Sequence, residues 1–474
     1  PFVKQNYPKE YKLYLEKKEK SKLSDEDFAK KLIEENNDFC LKTLRDIGYK
    51  GLVTQNTFPQ FVHASANWET MPTVDGHGYF QHPSKWNAPG SVIKNISSIA
   101  SAASMFRILN SVRLSGRPYL VGEFNHCFWN PYQHELPLAF TAYAALNDFS
   151  SHLILGDPVW ATLPNLYWAR RANIFDVGRS PVQRAGEFIS SLFFLRGDVA
   201  PSSHRVEAFA SYTQLKKDKS VMAAPSIEQG KLGLLVNYSL SFSDLSQFKG
   251  MKTPKADFRI PAFGGAAVNS HDWFGEVGAE KAGKFSLTAC VKNLRRVGIL
   301  PKTNQTDPDK GIFQSETGQI TLRQAESLLK VVTPRSEAVS LLANRAEKLD
   351  ALSVNFSSVD ALIGVAAVDD QTVKKSQRLV LIYATQIVNS GMKLKADGET
   401  LIELGMPPLL MRTGKFSIVL QNENADKLHC YALRLDGKRT REISLKSVNG
   451  QVEITLDTRT LLKDLTPFFE LVKL

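Results

Sequence analysis

The sequence predicts an α/β part followed by an all-β part. The expected architecture is half of a (β/α)8 barrel over residues 1–200, a β-rich connecting region at 201–311, and a β-sandwich at 312–474. Three observations carry this. Upstream of residue 200, helical periods alternate with short apolar runs, the pattern of βα units around a parallel sheet. Downstream, strand-like runs broken by turn residues take over. The upstream part holds four such units in about 200 residues, whereas a closed barrel needs eight in about 250. A chain of 474 residues is also too long for one core, and 43% apolar with 23% charged residues is ordinary for a globular protein.

Each element has a local reason. Ser24 with Asp27 three positions on is a capping-box pattern, opening a helix that sets Phe28, Leu32, Phe39 and Ile47 near one face until Gly48 stops it. A first strand is expected at Gly51-Leu-Val-Thr54, with Gln55, Asn56 and Thr57 at its exit. A second begins at Thr73-Val-Asp75 and runs into Gly76-His-Gly-Tyr-Phe-Gln-His-Pro83. A small-residue helix from Ser98 to Leu114 leads to the third, Arg117-Pro-Tyr-Leu-Val-Gly-Glu-Phe-Asn-His126. A helix over Glu135–Asp148 feeds the fourth, His152–Gly156, with Asp157-Pro-Val-Trp160 after it. The last helix of this part spans Pro181–Leu195, with Pro suited to its first turn and Gly197 to its end.

From residue 199 onward, strands are expected at Leu232–Val236 and Phe285–Ala289, with a loop or insertion over 243–283. Further strands are expected at Ile320–Leu322, Leu328–Val332, Arg378–Ala384, Phe416–Leu420, Tyr431–Leu435 and Val452–Leu456. Asp436-Gly437 and Asn449-Gly450 are hairpin signals.

Composition excludes several classes. No apolar run reaches eighteen residues, so no membrane span is expected. The net charge of +11 is dispersed rather than blocked, and with no basic helix it gives nucleic acid little support. The four cysteines are far apart and read as unpaired thiols. Neither a Gly-x-Gly-x-x-Gly turn after a strand nor a phosphate-binding loop occurs, so no cofactor is expected. A Gly-x-Ser-x-Gly elbow is also missing. The chain opens at Pro1 rather than Met, with no signal segment, so its true start is expected upstream.

In a barrel the reactive residues lie where strands end and loops converge. Those positions offer Asn56, then Asp75, His77, Tyr79 and His82, then Glu123, Asn125 and His126, then Asp157 and Trp160. A carboxylate, hydrogen-bonding groups and an indole suit a sugar, whose hydroxyls meet polar side chains and whose C–H faces meet rings. Glu123 is the most pointed candidate, because it ends a strand and the Gly before it permits close packing. Glu135 opens a helix and is assigned a structural role there. His77, His82 and His126 lack tight metal-ligand spacing, so no metal is expected.

The segment Arg117–His126 resembles the seventh strand of retaining glycoside hydrolases of clan A, the superfamily that includes families 5, 39 and 42. That resemblance makes Glu123 the nucleophile. Asp75–Pro83 looks like strand six, where His77 and Tyr79 match side chains that contact the nucleophile, and Trp160 matches the Trp flooring the nearest sugar subsite. Ser315-Glu-Thr-Gly-Gln-Ile320, Val332-Thr-Pro-Arg335 and Asn389-Ser-Gly-Met392 resemble the β-sandwich appended to many bacterial members, expected to act as a scaffold in preference to a sugar-binding module. The resemblance makes residues 1–200 the C-terminal half of the barrel.

One departure matters. The clan's acid/base Glu follows Asn at the end of strand four, and no Asn-Glu step stands at a strand exit here; Asn422-Glu423 lies in the β-rich half. The resemblance therefore implies a glycosidase of extracellular or periplasmic setting acting on a poly- or oligosaccharide. Its acid/base and first four strands would come from a longer polypeptide or a second chain. The basic balance makes an anionic glycan worth testing. The alternative is a non-catalytic carbohydrate-binding protein on a degenerate barrel.

Overall fold

A computed structural model describes residues 2–55, 61–156, 171–213, 228–245, 251, 254–262 and 285–474. It is a mixed α/β fold with a large β-rich part. The helices are α1 (Phe2–Asn6), α2 (Pro8–Ser21), α3 (Asp25–Asp46), α4 (Phe61–Thr70), α5 (Ser104–Asn110), α6 (Glu135–Leu146), α7 (Pro181–Phe194) and α8 (Leu287–Arg296). Ser24 caps α3 as its sequence predicts: its Oγ accepts from the Asp27 N–H at 3.1 Å and donates to the Asp27 carboxylate at 2.7 Å. The apolar face expected on α3 is covered only at its start, where Phe28 is buried; Phe39 and Ile47 are exposed.

Strands β1 (Val74–Phe80), β2 (Tyr119–His126) and β3 (Ser151–Ile154) form a parallel sheet in that order. Helices α5 and α6 lie in the two crossovers, as parallel pairing requires. The sheet has three strands where four were expected, and the described residues contain no closed barrel. The missing strand is Gly51–Thr54, which has no regular structure. There the Arg45 guanidinium donates to the Tyr49 and Gly51 carbonyls at 2.7 and 3.0 Å, so a side chain takes oxygens that a ladder would use. The helix expected from Ser98 is helical only as α5, because Ala102 and Ala103 sit at φ 51° and 50°, a left-handed conformation no α-helix propagates.

A second parallel sheet holds β4 (Arg205–Ala210) between β5 (Asn237–Phe242) and β6 (Phe258–Pro261). Two expected strands of this region are replaced. Residues 232–234 close a 3₁₀ turn before β5, and the apolar run at 285–289 opens α8 instead. Ser286 Oγ accepts from the Ala289 N–H at 3.2 Å, so a cap, not the short apolar run, decided that segment.

The β-rich part opens with β7 (Ile312–Gln314), β8 (Ile320–Arg323), β9 (Leu328–Val332) and β10 (Ser336–Leu341). They join Ala361–Ala367, Arg378–Ala384, Phe468–Lys473, Leu428–Leu433 and Arg439–Ile443 in a nine-stranded antiparallel sheet. A five-stranded sheet faces it across a core that includes Val339, Ile363, Leu381, Ile418, Val452 and Leu471. On the other face, Ala338, Leu362, Ala366 and Ile382 merge with the core around α6 and α7. The strands β10 and Ala361–Ala367 are buried at every position because both faces are covered. Both hairpin signals hold, with Asn449 and Gly450 at φ 51° and 75° as a type I′ turn demands.

Two further features tie the halves together. Glu135, the first residue of α6, is buried and accepts from Ser97 Oγ (2.7 and 3.0 Å), Ser98 Oγ (2.9 Å) and Ile99 N–H (3.1 Å), with Ser327 Oγ of the β8–β9 turn at 3.5 Å. Burial outweighs these donors and pushes its carboxyl up to about 7. Between Ala384 and Lys415 the chain leaves the sandwich as an arm of two small hairpins, Ile387–Ser390 with Met406–Met411 and Lys393–Leu394 with Leu401–Glu403. All four cysteines are free thiols, and no described helix is long and apolar enough to cross a membrane.

Candidate functional site

Strand β1 alternates polar and glycine residues, so Asp75, His77 and Tyr79 share one face. The glycines between them let neighbours come close: a Cβ on Gly76 would stand 2.5 Å from the Tyr119 hydroxyl, and one on Gly78 3.2 Å from Leu109. The β1–β2 register pairs His77 with Glu123 and Tyr79 with Asn125, bringing both strands' polar residues together at the end of the sheet.

There the side chains form one row. The buried Asp75 carboxylate accepts from the Gly122 N–H at 2.8 Å and faces His77 Nε2 at 3.3 Å. His77 Nδ1 lies 3.6 Å from Glu123 Oε2, a contact longer than a hydrogen bond. The Tyr79 hydroxyl donates to that same Oε2. Glu123 Oε1 has no partner among the described residues, and the side chain is 34% exposed. Burial, and next the Glu123 carboxylate, raise the Tyr79 phenol far above its ordinary value, keeping it a donor. Gly122 is a packing requirement: a Cβ there would lie 2.7 Å from His77 Nε2 and 3.0 Å from Asp75 Oδ2.

Aromatic rings extend this row outward. Tyr79 contacts Phe175 (centroids 4.7 Å apart) and His82 (5.8 Å), and His82 meets Trp86 at 5.1 Å. Burial lowers the His82 imidazole, whose Nδ1 lies 3.0 Å from the Pro83 carbonyl.

The structure thus gathers Glu123, Asp75, His77, Tyr79 and His82. Asn125 is on the same strand face, but it is buried and its amide donates to the Leu155 carbonyl. His126 is not brought to the group. Strand alternation turns it to the opposite face, where it is 1% exposed, edge-on to Phe80, and pushed down to about 3 by burial. Asn56, Asp157 and Trp160 lie outside the described residues. Among the described residues no group of three or more His, Cys, Asp or Glu side chains is placed to hold a metal ion. Trp86 and Phe175 were not singled out from sequence. For Trp86 the available signal was a large aromatic inside the polar, turn-rich Ser84-Lys-Trp-Asn-Ala-Pro-Gly90.

A carboxylate with one oxygen held and the other open can act as a nucleophile, and a string of rings beside it can receive an apolar ligand face. No protein-family model matches this chain, and no curated protein matches it either.

Proposed function

We propose that Glu123 is the nucleophile of a retaining glycoside hydrolase acting on a poly- or oligosaccharide. The observation that carries this reading is the asymmetry of its carboxylate. Oε2 is engaged by Tyr79 and near His77, while Oε1 has no partner among the described residues. In double displacement Oε1 attacks the anomeric carbon, the glycosidic oxygen leaves with a proton from a second carboxylic acid, and water then releases the sugar. Tyr79 holds the carboxylate by Oε2 and so aims Oε1. Asp75 cannot serve as the acid/base, since it is buried and engaged by Gly122 and His77. No other carboxylate of the described residues contacts Glu123, His77 or Tyr79. In this proposal the acid/base Glu comes from outside the chain, with the strands that complete a (β/α)8 barrel, and the protein works in an extracellular or periplasmic setting.

The test uses the full protein and a panel of 2-deoxy-2-fluoro aryl glycosides, which trap the covalent intermediate. Peptide mass spectrometry is expected to find the label on Glu123, and Glu123→Gln is expected to lower turnover by about 10³-fold or more. Turnover that survives Glu123→Gln refutes the assignment. Sugar binding without any hydrolysis selects the second reading, a non-catalytic carbohydrate-binding protein, which the open aromatic surface beside Glu123 also fits.

A further inference from the structure

We propose that Trp86 is the floor of a separate sugar-binding subsite adjoining Glu123, held in place by the arm of the β-sandwich. The assignment of Glu123 as nucleophile decides which sugar reacts there; the binding of a sugar ring at Trp86 stands on its own observations.

Trp86 is 60% exposed although it is a large apolar side chain within a cluster of rings. It sits at φ 54°, a left-handed conformation that bulky residues rarely adopt, so the loop is shaped to present it. His82 and Phe175 stand perpendicular to the indole at 5.1 and 5.9 Å, and neither is stacked on it. His82 and Phe175 also touch each other at 5.6 Å, and both touch Tyr79, the hydrogen-bond donor to Glu123. The rings are therefore continuous from the carboxylate to solvent. A chain of pyranose units following them would place one ring at Glu123 and another on Trp86. An open indole face suits the apolar C–H face of a pyranose.

Both loops that carry the outer rings are fastened to the arm. Gly90 N–H donates to the Leu401 carbonyl at 2.7 Å, Leu401 N–H to Ser91 at 2.8 Å, and Ile93 N–H to Glu399 at 3.2 Å. Asn95 N–H adds a bond to the Glu399 carboxylate at 3.0 Å. On the other loop, buried Asn389 binds both backbone groups of Ala172, accepting at 2.7 Å and donating at 2.9 Å, three residues before Phe175. The arm thus reaches one loop through backbone pairing and the Glu399 carboxylate, and the other through the Asn389 amide. Asn389 and the Glu399–Leu401 segment are positioning elements for the subsite.

The experiment is calorimetric titration of the full protein with cellohexaose, xylohexaose, β-1,4-mannohexaose and an oligogalacturonate, in wild type, Trp86→Ala, Trp86→Phe and Glu123→Gln. Hydrolysis is followed in the same samples. At least one oligosaccharide is expected to bind, with affinity about tenfold weaker in Trp86→Ala and nearly restored in Trp86→Phe. Glu123→Gln is expected to stop hydrolysis, so the loss on replacing Trp86 is also read in that background, free of turnover. Equal affinity in Trp86→Ala and wild type overturns the subsite, as does failure of every oligosaccharide to bind wild type. Trp86-dependent binding with no turnover supports the subsite while refuting the glycosidase. Turnover with Trp86-independent binding does the reverse.

Discussion

Glu135 offers a test of how the two parts of the chain are joined. Its carboxyl is 1% exposed, beneath the Ser97–Ile99 turn and beside Ser327 of the sandwich, and burial raises it from 4.5 to about 7. A carboxyl raised in the folded state stabilises the fold fully below pH 4.5, and that contribution is lost as pH rises through about 7. At about 1.4 kcal/mol per pH unit, the rise corresponds to about 3 kcal/mol of stability. Glu135→Gln keeps the shape, keeps one oxygen for the Ile99 N–H, and offers an amide to serine hydroxyls that can accept. It has no proton to lose. Urea denaturation of both proteins below pH 4.5 and above pH 7 reads the difference in their unfolding free energies. The variant should gain about 3 kcal/mol relative to wild type across that span. Other titrating groups cancel in the difference, including buried Glu337, also pushed up to about 7, and His134, pushed down to about 4. A gap that stays constant with pH refutes the reasoning, since Glu135 would then titrate alike in the folded and unfolded chains.

Two further substitutions probe the site and its support. Gly122→Ala inserts a methyl 2.7 Å from His77 Nε2 and should cost about 1–3 kcal/mol while displacing the Asp75–His77 pair; a denaturation midpoint equal to wild type rules out the close packing described. Asn389→Ala leaves the Ala172 amide and carbonyl and the Leu404 carbonyl without their partner, and should cost about 1–3 kcal/mol. It should also raise the amide hydrogen-exchange rate of Ala172, and unchanged exchange there sinks the role given to the arm.

What could be read from the sequence followed the range of the interactions concerned. Ser24 and the Asn449-Gly450 turn act over three or four residues, and both behave as their local chemistry dictates. The small residue before Glu123 was legible as close packing, though not that His77 and Asp75 were the neighbours requiring it. Errors arose where a short apolar run had two possible fates. At 285–289 a serine cap outweighed strand character, and at 51–54 an arginine six residues upstream took a carbonyl that a strand would have paired. His126 looked like a site residue because it shares a strand end with Glu123, but side-chain alternation over that strand sends it into the core.

How the aromatic rings assemble was beyond any local reading. Trp86 and Phe175 meet only after the chain has passed through β2 and β3, and Ala172 and Asn389, which fix one side of the cluster, stand 217 positions apart. The same separation bears on the β-sandwich. Had it been a scaffold alone, its contacts would be expected on the outer surfaces of α6 and α7, where the nine-stranded sheet does pack. Its arm instead pairs with Gly90–Ile93 and grips Ala172, on the loops that carry the Trp86 and Phe175 rings. A scaffold that reaches the rim of the candidate site through these bonds also governs where that rim stands. Changes in the sandwich arm should therefore alter which ligand the site accepts even where the row from Asp75 to Tyr79 is untouched.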